Sequence, residues 1–205
     1  MTTRSPRAAL ALLALCAAPA GAQVRGVNPF SFGVSGGASI PTGDFGKDVN
    51  TGFNVDGLVG VRVPAFPLSF RFELGYQRFG VKNGALLEGV DPTELQGASL
   101  SGNARIISGV ANAVLTFPGG ATSTVRPYLI GGLGLYNLRS SLTASGGGAS
   151  VTVSGDSENK FGLNGGVGVD LPLTGIATFG EVRVQTVFTS GGNTTVVPIK
   201  VGIRF

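Results

Sequence analysis

Histidine is absent from all 205 residues. Without an imidazole the chain cannot run a Ser-His-Asp relay or hold zinc through histidine. The single cysteine, Cys16, falls in an apolar N-terminal stretch. If that stretch is removed, the mature chain has neither disulfides nor thiolate metal sites. Charge is scarce too: Asp, Glu, Lys and Arg make up 13% of the chain, about half the roughly 25% of ordinary soluble domains. The net charge of +4 includes Arg4 and Arg7, and no basic stripe remains beyond them to favour nucleic acid. After the N-terminal stretch no apolar run approaches the ~20 residues of a membrane-spanning helix.

The N-terminus itself reads as an export signal. Arg4 and Arg7 precede an apolar run from Ala8 to Ala18, and Ala20-Gly21-Ala22 supplies the small residues of a cleavage site. Cleavage is expected after Ala22, giving a signal peptide over 1–22 and one domain over 23–205. The Leu13-Ala14-Leu15-Cys16 segment is a poor lipoprotein signal, because Leu15 is bulky where a small residue is usual. No proline-rich or charged linker divides the remaining residues.

What is abundant is glycine, 35 residues, and apolar alternation with period two, which sends successive side chains to opposite faces of a strand. In 30–40, Phe30, Phe32, Val34, Ala38 and Ile40 oppose serine and glycine. In 53–63, Phe53, Val55, Val59, Val61 and Val63 oppose Asn54, Asp56 and Arg62, with Leu58 out of pattern. In 68–77, Leu68, Phe70, Phe72, Leu74 and Tyr76 oppose Ser69, Arg71, Glu73 and Gln77. A weaker fourth segment spans about 103–117. A fifth, about 126–138, is too glycine-rich for its faces to be assigned. The sixth, 161–173, the seventh, 176–188, and the last, 196–205, alternate cleanly.

Eight segments of this kind predict an all-β fold, an eight-stranded antiparallel up-and-down transmembrane β-barrel. Short turns are expected at 64–67, 118–125 and 172–175. Longer polar loops are expected at 41–51, 80–102 and 139–160, with a shorter one at 189–194. Short periplasmic turns alternating with longer outer loops are the habit of outer-membrane barrels, and they put both chain ends in the periplasm. A soluble barrel would turn its polar face to water with many Lys and Glu residues. Here that face is Gly, Ser, Asn and Thr with a few charges, which suits a narrow lumen.

The charged set on the lumen-assigned faces is Asp56, Arg62, Arg71, Glu73, Asp170, Glu181, Arg183, Lys200 and Arg204. Mixed charges in a confined interior should pair, since an isolated ion there bears a desolvation cost. The third and seventh strands lie opposite one another in an eight-strand barrel, so Arg71 and Glu73 are expected to meet Glu181 and Arg183. Such a network either plugs the barrel or lines a narrow pore; the plug is favoured because eight strands enclose only enough room for side chains. Arg78 shares the lipid-facing parity at the loop end of its strand, where its head can reach the headgroups. Tyr76, Tyr128 and Tyr136 are candidates for interfacial girdles.

Other motifs carry less. Gly131-Gly132-Leu133-Gly134 and Gly165-Gly166-Val167-Gly168 do not complete a phosphate-binding fingerprint and suit close packing instead. Asp44 with Asp48, or Asp156 with Glu158, could hold calcium weakly, but no EF-hand spacing is completed.

Three stretches stand out: Ile40-Pro41-Thr42-Gly43-Asp44-Phe45 followed by Thr51-Gly52-Phe53, Arg126-Pro127-Tyr128 leading into Gly131-Gly132-Leu133-Gly134-Leu135-Tyr136, and Val201-Gly202-Ile203-Arg204-Phe205. Together they resemble the small outer-membrane β-barrel family, the OmpA/OmpX-like eight-stranded barrels. The resemblance implies an outer-membrane location and an assembly signal formed by Val201, Ile203 and Phe205. It also implies outer-membrane lipids as surroundings, with the barrel assembly machinery and periplasmic chaperones as partners during biogenesis. The separate peptidoglycan-binding domain of longer members is not expected here. The lipid A deacylases and palmitoyltransferases that small barrels can host rely on histidine with serine, so neither chemistry carries over. The expectation is a monomeric, non-enzymatic protein without a cofactor, structural or acting through loops 80–102 and 139–160. Two alternatives stand beside it: a small pore for ions or apolar solutes, and a secreted soluble barrel that binds a ligand in its interior.

Overall fold

A computed structural model describes residues 29–63, 66–82, 98–118, 125–146, 149–172, 176–189 and 192–205. Among them are nine strands and one short helix: β1 Phe30–Thr42, α1 Phe45–Asp48, β2 Gly52–Arg62, β3 Leu68–Gly80, β4 Ala98–Thr116, β5 Arg126–Gly146, β6 Ala149–Ser154, β7 Glu158–Pro172, β8 Ala177–Thr189 and β9 Gly192–Arg204. Neighbouring strands in the wall pair antiparallel, and β1 closes on β9 from Gly33↔Arg204 to Thr42↔Thr195. β6 and β7 pair with successive parts of β5 and together make one interrupted stave. The nine segments are therefore an eight-stave closed barrel, and no sheet edge is left open along the wall.

A band of the outward face is apolar all round the barrel. Phe32, Phe72, Leu135 and Val201 are among the large hydrophobic side chains left exposed there, and among the described residues no helix is long and apolar enough to cross a membrane. In a barrel this arrangement lets lipid cover the apolar face while the wall amides pair between strands.

The interior is layered. At one end Val49, Phe79, Ala104, Ile106, Val110, Tyr136, Val187 and Val196 form an apolar cluster. α1 helps close that end: Phe45 meets Phe79 edge-on at 5.4 Å, Val49 bridges to Val81, and the Lys82 ammonium donates to the Gly46 carbonyl at 2.6 Å. Charged side chains fill the middle, and Val114, Tyr128 and Ile130 pack at the opposite end. Leu58, out of pattern in sequence, is an interior residue at 4% exposure.

Several sequence expectations are corrected. Tyr128 and Tyr136 belong to no girdle, since both rings point inward and are 1% exposed. The room for them comes from glycine on a neighbouring strand: a Cβ at Gly168 would lie 2.2 Å from the Tyr128 ring, and one at Gly162 would lie 2.8 Å from Tyr136. The stretch 139–160 is mostly strand: β5 runs on to Gly146 and returns as β6, with Thr143 and Thr152 hydroxyls 2.9 Å apart across the hairpin. Its alternating Ser, Thr and Val residues are polar enough to read as loop but pair well as strand. β4 likewise begins at Ala98 instead of about Asn103. The signal stretch 1–22 and most of the 80–102 connection lie outside the described residues.

Candidate functional site in the barrel interior

β3 and β8 face each other across the lumen and run in the same direction, each carrying two charges at i and i+2 on the inward face. The order of signs is reversed between them: Arg71 then Glu73 on β3, Glu181 then Arg183 on β8. Opposite charges therefore meet at both levels. Arg71 donates to Glu181 at 2.8 Å, and Arg183 donates to Glu73 across the barrel and to Glu181 on its own strand. Arg71 also lies 3.5 Å from Glu73, and Tyr128 donates its hydroxyl to Glu181 at 2.8 Å.

The lattice extends sideways. Lys200 on β9 sits 2.9 Å from Asp56 and 3.7 Å from Glu73, and Ser35 donates to Asp56 at 3.4 Å. Arg204 pairs with Asp170. That pair joins the rest through the Phe179 ring, with the Arg71 guanidinium 5.2 Å and the Arg204 guanidinium 5.3 Å from its centroid. Arg71 stacks on Tyr128 as well, at 5.4 Å. Phe179 fits because residue 202, its cross-strand partner, is glycine: a Cβ there would lie 2.4 Å from the ring.

The four carboxylates Asp56, Glu73, Asp170 and Glu181 are matched by the four cations Arg71, Arg183, Lys200 and Arg204. Each is paired within the protein, which offsets the cost of drawing charge out of water. Arg62 behaves differently. It is exposed at the rim, where it lines a vestibule of about 260 Å³ with Arg126, Asp170 and Arg204.

Neutral pairs flank the charges and were not picked out from sequence. Gln77 donates to Gln185 at 3.0 Å, Asn164 to Asn112 at 3.0 Å, and Asn54 to Ser39 at 3.0 Å. Their signal was available for β3 and β8, because Gln77 and Gln185 share the parity of the charged residues. Of the calcium candidates, Asp44 is tied to Lys47 at 2.7 Å, with both side chains exposed.

Chemically, this interior holds side chains in place. Glu181, the most engaged carboxylate, accepts from Arg71, Arg183 and Tyr128 together. The glycine-rich runs serve the same packing: a Cβ at Gly166 would press on Arg183 at 2.8 Å.

Comparison with known proteins agrees with this architecture. Residues 8–205 match the family model described as outer membrane protein beta-barrel domain. Among solved structures, Neisserial surface protein A superposes with a TM-score of 0.56 at 18% identity, covering 86% of this chain and 96% of its own. A major outer membrane protein from Thermus thermophilus gives 0.53 at 16% identity, covering 87% of this chain and 99% of its own. These likenesses bear on the fold alone. No curated protein sequence matches the chain.

Proposed function

This chain belongs to the outer membrane protein beta-barrel domain family, and we propose that it works in the bacterial outer membrane as a non-enzymatic, plugged barrel whose role is carried by its outer surface. The observation that carries the reading is Glu181, held across the lumen by Arg71 and on its own strand by Arg183. A permeation path would have to part this lattice and also pass the apolar cluster around Phe79 and Ile106. Parting the lattice would separate buried ion pairs, and leaving a buried ion without its partner costs several kcal/mol.

The segment carrying α1 after β1, the connection after β3 and the β5–β6 hairpin that prolongs the wall all lie at the end closed by α1, and we take this end to face outward, as the longer outer loops of outer-membrane barrels do. Val201, Ile203 and Phe205 project from the wall at 69%, 41% and 65% exposure, as an assembly signal read from outside the strand would require. The barrel assembly machinery and periplasmic chaperones are its proposed partners during biogenesis, outer-membrane lipids its surroundings afterwards, and the mature form a monomer. The absence of histidine removes the Ser-His-Asp route, and Glu181, held by Arg71, Arg183 and Tyr128, serves packing.

Planar-bilayer recording tests the reading. The folded protein is expected to give no sustained ionic current. A stepwise current in the wild type that changes with Arg71→Ala would replace the plug by a pore.

A further inference from the structure

One group of cations has no carboxylate partner among the described residues. Arg78 on β3, Arg105 on β4 and Arg139 on β5 are direct cross-strand neighbours, Arg78↔Arg105 and Arg105↔Arg139. They form a ladder of three like charges on the outward face. Like charges directly opposite one another destabilise a sheet, and none of the three makes an ion pair within the described chain. The Arg105 Nε is buried without a hydrogen-bond partner.

The height of the ladder is informative. On β3 the outward residues run Leu68, Phe70, Phe72, Leu74, Tyr76 and then Arg78. At about 3.3 Å per residue and a tilt of about 40°, the climb from Leu68 to Arg78 is about 25 Å. That matches the apolar band of an outer-membrane barrel, about 25 Å tall. The ladder therefore stands where acyl chains give way to headgroups, on the outward end of the barrel.

Above it the same face changes character. The next outward row is Asn103, Ser141 and Ser154, and the row beyond is Ser101, Thr143 and Thr152. This surface is rich in hydroxyl and amide groups and carries no formal charge. Arg78, Arg105 and Arg139, with Tyr76, Asn103, Ser141 and Ser154, line a concavity of about 320 Å³ on the outer wall. A cationic rung topped by hydrogen-bonding rows complements a ligand whose phosphate lies at the headgroup level and whose sugar rises above it. Arginine suits the phosphate because its guanidinium can bind two oxygens at once.

We propose that the outer wall over β3 to β6 is a docking surface for a phosphorylated glycolipid of the outer leaflet, with Arg78, Arg105 and Arg139 holding phosphate and the Ser, Thr and Asn rows meeting the sugar. The proposal rests on the outward orientation given above. It supplies a concrete content for the outer-surface role.

The test is lipid retention by the folded protein in phosphatidylcholine vesicles, with or without a bis-phosphorylated glucosamine lipid of the lipid A type. Heat-modifiable gel migration first establishes that wild type and variants are closed barrels; a failure there would count against the membrane-barrel reading itself. In the folded protein, replacing all three arginines together (Arg78→Gln, Arg105→Gln and Arg139→Gln) is expected to weaken retention about 100-fold, from the usual worth of a basic residue at an anionic surface. Lysine at all three positions should recover part of it, as charge returns without the bidentate fork. Unchanged retention by the triple glutamine variant would overturn the proposal. So would retention of phosphatidylglycerol as tight as that of the glycolipid, or displacement of the glycolipid by inorganic phosphate alone.

Discussion

Two sets of charges occupy this barrel under opposite terms. Inside, each of four carboxylates meets a cation, and the guanidinium groups of Arg71 and Arg204 also rest on Phe179. Outside, Arg78, Arg105 and Arg139 stand in one row without an acid among the described residues. The apolar cluster around Phe79 closes one end of the lumen and the charges beneath it are buried, so they are neutralised by the protein; the Arg204–Asp170 pair borders the rim vestibule at the other end. The outer ladder faces a headgroup layer that can supply the counter-charge. The same residue type is thus a structural brace on one face and a binding group on the other, and the surroundings of the face decide which.

The largest effect is expected at Glu181. Glu181→Ala strands Arg71 and Arg183 in the lumen and should cost about 3–5 kcal/mol, read as a lowered urea midpoint for the folded barrel in vesicles. Neutral interior pairs should behave likewise on a smaller scale. Gln77→Leu alone leaves the Gln185 amide unpaired and should cost about 1–3 kcal/mol, whereas Gln77→Leu with Gln185→Leu should recover most of that loss. If the double variant is as unstable as the single, pairing is not what holds this layer. Arg62→Ala, at the exposed rim, should stay within about 0.5 kcal/mol of wild type, which separates lumen-facing parity from true burial.

How far the sequence goes depends on what fills the lumen at each level. β1, β3, β8 and β9 carry mostly polar, charged or small residues inside and apolar ones outside, so their faces were readable from alternation. Knowing that the third and seventh strands oppose one another was then enough to bring Arg71 and Glu73 to Glu181 and Arg183. β4 and β5 blurred because Ile106, Val110, Val114, Tyr128, Ile130 and Tyr136 are apolar yet inward, which leaves both faces alike. The inward tyrosines misled for the same reason: an aromatic over a glycine inside a barrel has the same sequence signature as one in a girdle. The arginine ladder depends on register across three strands, and Arg105 and Arg139 lie in stretches whose strand limits the pattern did not define. Parity marked Arg78 as outward, but only the pairing shows that it belongs to a row of three like charges.

The most direct test of the contrast is to measure unfolding of the Glu181→Ala variant and of the triple arginine-to-glutamine variant in two vesicle types, neutral phosphatidylcholine and phosphatidylcholine containing the phosphorylated glycolipid. The Glu181→Ala loss is expected to be the same in both, while the triple variant is expected to lose stability relative to wild type only where the glycolipid is present. A Glu181→Ala loss that follows the lipid, together with a triple variant indifferent to it, would overturn this division between protein-paired inner charges and lipid-paired outer ones.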